Sequence, residues 1–241
     1  MASSREPLAG ALMIEGRPTP VRLRVNRRAK RLIVRVDPAE GAVVVTAPSK
    51  RALPEALDFA ASRADWIAEQ LASAPAPIPF RPGARVPFRG VEHLIVHVHA
   101  TRTPVRRVQG IAARLVVSGG AAHVPRRLED WLRREARSLL SERCERHAAV
   151  LGRKVRRISV RDPRSRWGSC SSEGALSFSW RLVMAPDFVL DYVAAHECAH
   201  LVHMHHGPAF WRAVDRLVGD CEPAKDWLRG EGAKLHRYGA E

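Results

Sequence analysis

Residues 196–211 read HECAHLVHMHHGPAFW, and no other stretch restricts the fold as much. Five histidines and one glutamate fall within eleven residues, followed by a Gly-Pro break and two aromatics. His196 and His200 are four positions apart, so on a helix their imidazoles lie on one face, one turn above the other. So placed, each ring can give a nitrogen to the same Zn²⁺ at about 2.0–2.1 Å. Glu197 projects beside the pair, free to take a proton from a water on the ion. A catalytic zinc takes a third protein ligand and leaves its fourth position wet. His203 shares the helix face but lies about 10.5 Å along the axis from His196, too far for one ion on a straight helix. His205 and His206 sit where Gly207 and Pro208 let the backbone turn back. His206 is the preferred third ligand and His205 stays open, with Asp215 or Glu222 as a remote carboxylate alternative. The fold must therefore supply a helix, a reversal and an open cleft.

The neighbouring sequence suits that demand. Pro186 and Asp187 open a helix through FVLDYVAAHECAHLVHM that is expected to stop near Gly207. Before it, ALSFSWRLVMAP alternates cleanly, with Leu176, Phe178, Trp180 and Leu182 on one face and Ser177, Ser179 and Arg181 on the other. KVRRISVRD is a second strand, and residues 126–151 place Leu128, Trp131, Leu132, Leu139, Leu140 and Cys144 on one helical stripe. Residues 209–219 resume as a helix.

The first half reads differently. Residues 20–47 alternate apolar and basic, with a DPAEG turn, and residues 85–118 return to short alternating segments. Between them, residues 54–71 carry Leu57, Ala60, Ala64, Ile67 and Leu71 at helical spacing behind Pro54. ASAPAPIPF then reads as a connector. No internal repeat is visible in the sequence. The expected division is a tail over 1–18, a β-rich region with one helix over 19–121, and a catalytic domain over 122–241, an α+β protein.

Forty Lys+Arg against 25 Asp+Glu leave a net charge of +15, which favours an anionic partner such as nucleic acid or nucleotide. Arg164, Arg166 and Arg181 are candidates to grip an anionic substrate group. Cys144, Cys170, Cys198 and Cys221 form no CxxC pair, which argues against a disulfide scaffold or zinc ribbon and suits a reducing cytosol. The apolar run LAGALMI is too short to span a membrane, so the expectation is a cytoplasmic protein with no membrane partner.

The run RSRWGSCSSEGALSFSWRLVMAPDFVLDYVAAHECAHLVHMHHGPAFW resembles the YgjP-like metallopeptidase family. The likeness rests on Trp167-Gly168-Ser169-Cys170, on Ser179-Trp180-Arg181-Leu182, on His196 to Leu201, and on His205-His206-Gly207-Pro208-Ala209-Phe210-Trp211. It departs at Cys198 for a leucine, Ser179 for an asparagine and Gly207 for a serine, none of them a ligand or the base. The resemblance implies a zincin-like fold with a substrate-side edge strand. It also implies one Zn²⁺ per chain, held by His196, His200 and His206, and a peptide or protein substrate hydrolysed by water that Glu197 activates. It assigns peptide pairing to residues 176–182, hence Ser177, Ser179 and Arg181 as substrate contacts. Beside that implication, His205 is a candidate to stabilise a developing oxyanion and Arg166 a candidate auxiliary. A metal-dependent nucleotide phosphohydrolase and a DNA-associated SprT-like protease are the competing expectations. Cys170 as a nucleophile has no paired base or elbow motif to support it.

Overall fold

The computed structural model describes residues 8–37, 41–72, 76–99, 103–110, 112–163 and 165–239. Residues 38–40 of the expected turn, 73–75 of the expected connector and the first seven residues of the expected tail lie outside the described residues. The architecture is α+β, with two compact units, Met1–Pro77 and Ile78–Gly239. The boundary thus falls at 77/78 rather than 121/122, because the second group of strands shares its core with the helices that follow.

In the first unit, strands β1 (Leu8–Ile14), β2 (Arg17–Val25), β3 (Ile33–Asp37) and β4 (Ala42–Ala47) form a sheet in the order β1-β2-β4-β3. The span expected to be a tail therefore contains β1. Glu15 and Gly16 both have positive φ (45° and 74°), the backbone of a two-residue I′ hairpin, and the glycine removes the steric cost at its position. Val21, Val43 and Val45 are fully buried against Ala56, Ala60 and Ile67. The expected single helix is two, α1 (Pro54–Ala61) and α2 (Ala64–Ala72). Ser62 ends the first by donating its hydroxyl to the Phe59 carbonyl at 2.9 Å, the local competition that serine offers a helix. The predicted apolar stripe survives the break, since both helices turn it to the sheet.

The second unit opens with β5 (Arg85–Phe88), β6 (Val91–Val98), β7 (Val105–Val108) and β8 (Arg114–Ser118), in the order β5-β6-β8-β7. This repeats the first sheet: an antiparallel hairpin, a parallel pair (β2 with β4, β6 with β8) and an antiparallel last strand. Arg89 and Gly90 form its hairpin turn with φ of 53° and 76°. In both copies a short 3₁₀ turn follows the last strand, Lys50–Ala52 and Ala121–His123, and a helix with proline in its first turn comes next. The fold therefore contains a repeat that residue identity does not show.

Helix α3 (Val124–Val150) buries Leu128, Leu132, Leu140 and Cys144 in the main core. Strands β9 (Arg157–Arg161), β10 (Gly168–Cys170) and β11 (Ala175–Ser179) form a small sheet in the order β10-β11-β9. A 3₁₀ segment, Trp180–Met184, leads to helices α4 (Asp187–Ala199), α5 (Pro208–Val218) and α6 (Glu222–Gly230). Among the described residues no helix is long and apolar enough to cross a membrane.

Candidate metal centre

Helix α4 carries His196 and Glu197, and its orientation is held from two sides. The Arg89-Gly90 turn donates both backbone N–H groups to the carbonyls of Val183 and Met184, just ahead of the helix. Arg89 Nε also donates to Asp187 at 2.8 Å, which together with Arg143 holds that carboxyl below the ordinary aspartate value. One turn on, Asp191 accepts from His147 (2.9 Å) and Arg146 (2.8 Å) of α3. Burial pushes the Asp191 carboxyl up, but His147, Arg146 and Arg143 outweigh it and hold it ionised. These pairs anchor the helix without contributing to the cleft.

α4 ends at Ala199, short of Met204 where the expected helix ran, with His200 still in the right-handed helical region (φ −66°, ψ −16°). The i, i+4 stacking of His196 and His200 is therefore kept, with ring centroids 5.2 Å apart. Tight turns then close the helix: Leu201 N–H bonds the Cys198 carbonyl and His203 N–H the Ala199 carbonyl, both at 2.9 Å. The chain bends at Met204, His205 and Gly207, and the Gly207 N–H bonds the His205 carbonyl at 2.8 Å. Gly207 has extended backbone (φ −79°, ψ −179°) and stands at the N-cap of α5, with Pro208 in the first turn.

The reversal brings His206 onto the other two rings. Its Nε2 stands 3.1 Å from His196 Nε2, its ring lies 4.8 Å from that of His200, and one nitrogen from each of the three falls within 4.8 Å of the others. Two nitrogens on a tetrahedral zinc at about 2.0–2.1 Å are about 3.3 Å apart, so the spacing fits. The chemistry of the donors fits as well. Burial, aided by the neighbouring imidazoles and Lys225, pushes His196 down to about 4, so it is neutral at pH 7 with a lone pair to give. His200 is likewise held down, first by burial. His200 Nδ1 donates to the His203 carbonyl at 3.1 Å, which leaves Nε2 bare and aims the ring. His203 thus matters through its main chain, a role no side-chain pattern announces. Phe210, fully buried, packs on all three rings at 4.6–4.9 Å between centroids, and Trp211 stacks on His206 at 6.0 Å.

Glu197 is 6% exposed and leaves the trio free. Burial pushes its carboxyl up to about 7, opposed only by the field of Arg166. Gly168 of β10 sits directly against it: a Cβ there would lie 2.6 Å from the Glu197 Cγ. Glycine is needed at 168 for space, a requirement the WGSC motif hides.

The remaining expected residues fall elsewhere. His205 is exposed and outside the trio, as are Asp215 and Glu222, the latter bonded to Lys225 at 2.7 Å. Arg164 lies outside the described residues. Cys198 is buried and directed at the Cys144 carbonyl (3.6 Å), away from the metal face. Cys170 has its thiol pushed up to about 11, by burial first and then by Glu197, so it stays protonated and is no nucleophile. The largest departure concerns residues 176–182. The strand stops at Ser179, whose buried side chain caps the 3₁₀ segment by accepting from Arg181 N–H at 3.3 Å. Arg181 is 8% exposed and fully engaged inward, with Asp162 (2.7 and 3.1 Å) and the carbonyls of Leu235 (2.9 Å) and Tyr238 (2.7 Å). Ser177 lies in the middle strand, β11, which is paired on both sides and has no edge to offer.

Among the described residues β10 and β9 are the two edge strands of this sheet, and β10 is the one that packs beside Glu197. Ser171 N–H bonds the Ala175 carbonyl and Ser179 N–H the Trp167 carbonyl, both at 2.9 Å. The hydrogen-bonded pairs therefore fall on odd positions, and the N–H and C=O of Gly168 and Cys170 project outward beside Glu197.

Comparison with known proteins places this geometry in context. A model of the YgjP-like metallopeptidase domain matches residues 30–231. No curated protein matches the chain. Among solved structures, the crystal structure of the metallopeptidase zymogen of Pyrococcus abyssi abylysin is similar at a TM-score of 0.35 and 21% identity, over 41% of this chain and 97% of that one.

Proposed function

The chain belongs to the YgjP-like metallopeptidase family, and on that premise we propose that it is a zinc-dependent peptidase whose ion is held by His196, His200 and His206 and whose general base is Glu197. The observation that carries the reading is the convergence of three imidazole nitrogens, one from each of His196, His200 and His206, within 4.8 Å of one another. A bound zinc ion supplies Lewis acidity, polarising the scissile carbonyl and acidifying an attacking water toward pH ~7.

The chain's own residues do the rest. Glu197 has been lifted to about 7, so at neutral pH its carboxylate takes a proton readily and also returns it. In the proposed cycle its carboxylate oxygen accepts the proton of the attacking water and delivers it to the leaving amine. Gly168 keeps that carboxylate in a fixed place by excluding any side chain from beside it. The outward peptide groups of Gly168 and Cys170 add a substrate strand to β10, so main-chain hydrogen bonds hold the peptide next to the base. This moves the substrate edge from residues 176–182 to residues 168–170.

The test is Glu197→Gln. Turnover of a peptide substrate is expected to fall to background while one zinc per chain persists in metal analysis. Undiminished turnover, or zinc lost together with activity, rejects the assignment of Glu197.

A further inference from the structure

A pocket of about 250 Å³ has His200 in its lining. Its size suits one side chain, being smaller than the roughly 300–1,000 Å³ of sites for drug-sized ligands. The floor is apolar, made by Leu201, Val202 and Met204 from the segment that follows α4. The opposite wall is the turn after β10, which begins at Ser171 and closes at Gly174. At Gly174 the walls nearly touch, since a Cβ there would meet Leu201 Cδ2 at 3.4 Å.

Charge decides what the pocket takes. Its one acid, Glu173, is ion-paired with Arg156. Arg153 and Lys154, both exposed in its lining, have no ion-pair partner among the described residues. The pocket therefore presents two uncompensated cations above an apolar floor. Arg153 can hold a carboxylate through two parallel N–H bonds, and Lys154 adds a mobile charge. Position decides which part of a substrate arrives. A peptide paired with β10 runs from Cys170 straight to Ser171, and His200 belongs to both the pocket and the candidate metal trio.

We propose that this pocket is a specificity subsite for a substrate carboxylate adjacent to the cleaved bond, read by Arg153 and Lys154. The proposal rests on the peptidase reading above. The carboxylate has two sources, a Glu or Asp side chain within the peptide or the peptide's own C-terminus.

Two measurements test it together. In the first, zinc-loaded protein cleaves quenched fluorogenic peptides that differ only by Glu, Gln or Lys at each position flanking the cleaved bond. A second pair of peptides ends in a free or an amidated C-terminus. The second measurement is the Kd of the same peptides, fluorescently labelled, for the zinc-loaded Glu197→Gln protein by anisotropy. At one position Glu is expected to exceed Gln about tenfold in both kcat/KM and affinity, equivalent to ~1.4 kcal/mol. Arg153→Gln with Lys154→Gln abolishes that preference, and Arg153→Glu with Lys154→Glu turns it toward Lys. A preference confined to the free C-terminus supports the subsite with the terminal carboxylate as its ligand. Equal rates and affinities for Glu, Gln and Lys together with equal rates and affinities for free and amidated C-termini overturn the subsite, as does a Glu preference that survives charge reversal. Tighter binding of the Glu peptide without cleavage of any peptide leaves the subsite standing and removes the peptidase reading instead.

Discussion

Replacing Gly168 by alanine tests how closely catalysis depends on where Glu197 stands. The new Cβ would sit 2.6 Å from both Cγ and Oε1 of Glu197 and 2.8 Å from Cδ. Unstrained contacts between such atoms lie at about 3.5–4.0 Å, so the two groups must separate by roughly 1 Å. Rotating the carboxylate alone does not relieve the overlap, because Cγ belongs to the stem. The backbone at 168 lies outside the left-handed region, so alanine introduces no conformational strain of its own. Either β10 retreats or Glu197 swings away from the three imidazoles. Displacing a catalytic group by about 1 Å costs on the order of 100-fold in rate, or ~2.7 kcal/mol of barrier. The overlap also costs about 1–3 kcal/mol of stability. Peptide hydrolysis, zinc content and urea unfolding of Gly168→Ala would be measured side by side. The expected outcome is kcat/KM down about 100-fold, zinc unchanged and a folded protein with a lower midpoint. Wild-type turnover in the folded variant refutes the reasoning, and so does a loss of zinc that parallels the loss of rate.

Three further perturbations separate the roles assigned above. His206→Ala is expected to strip zinc by at least 100-fold in affinity while His205→Ala retains it, read by metal analysis after dialysis against a weak chelator; the reverse pattern would exchange their roles. Arg181→Met leaves Asp162 and two carbonyls without their partner, and should lower stability by about 3–5 kcal/mol in urea without changing KM for peptides. A raised KM at wild-type stability would return Arg181 to the substrate. His93 is fully buried, accepts from Arg107 at 2.9 Å and is held below its ordinary 6.5, first by burial. Its unfolded form therefore gains a proton before its folded form does, so its contribution is complete above pH ~6.5 and declines as pH falls below that value. Unfolding free energies of wild type and His93→Gln at pH 5–8 should diverge in that direction, and parallel curves would dismiss the effect.

The alternating strands, the long helix α3 and the helical spacing of His196 and His200 were legible because each depends on periodicity within a few residues. The fold-back was suggested by Gly207 and Pro208, but local geometry left His205 open beside His206, and the family resemblance favoured His206. The repeat of the two four-stranded sheets was not legible. Hairpin, parallel pair and last strand are set by backbone pairing, which many side-chain sets satisfy, so Glu15-Gly16 and Arg89-Gly90 share a turn without sharing a motif. The alternation through residue 182 misled for a related reason. Trp180 and Leu182 are buried in a 3₁₀ segment, and Arg181 is buried with them because Asp162 and two distant carbonyls meet it there.

Local sequence alone determined that His196 and His200 share a helical face with Glu197 beside them, since covalent spacing and helix geometry leave little choice, while the third donor stayed open between His205 and His206. Only tertiary structure decided that β10 lies at a sheet edge, that a glycine on β10 must make room for Glu197, and that Arg153 and Lys154 line a pocket sharing His200. Those are contacts between segments tens of residues apart, and packing, not periodicity, brings them together.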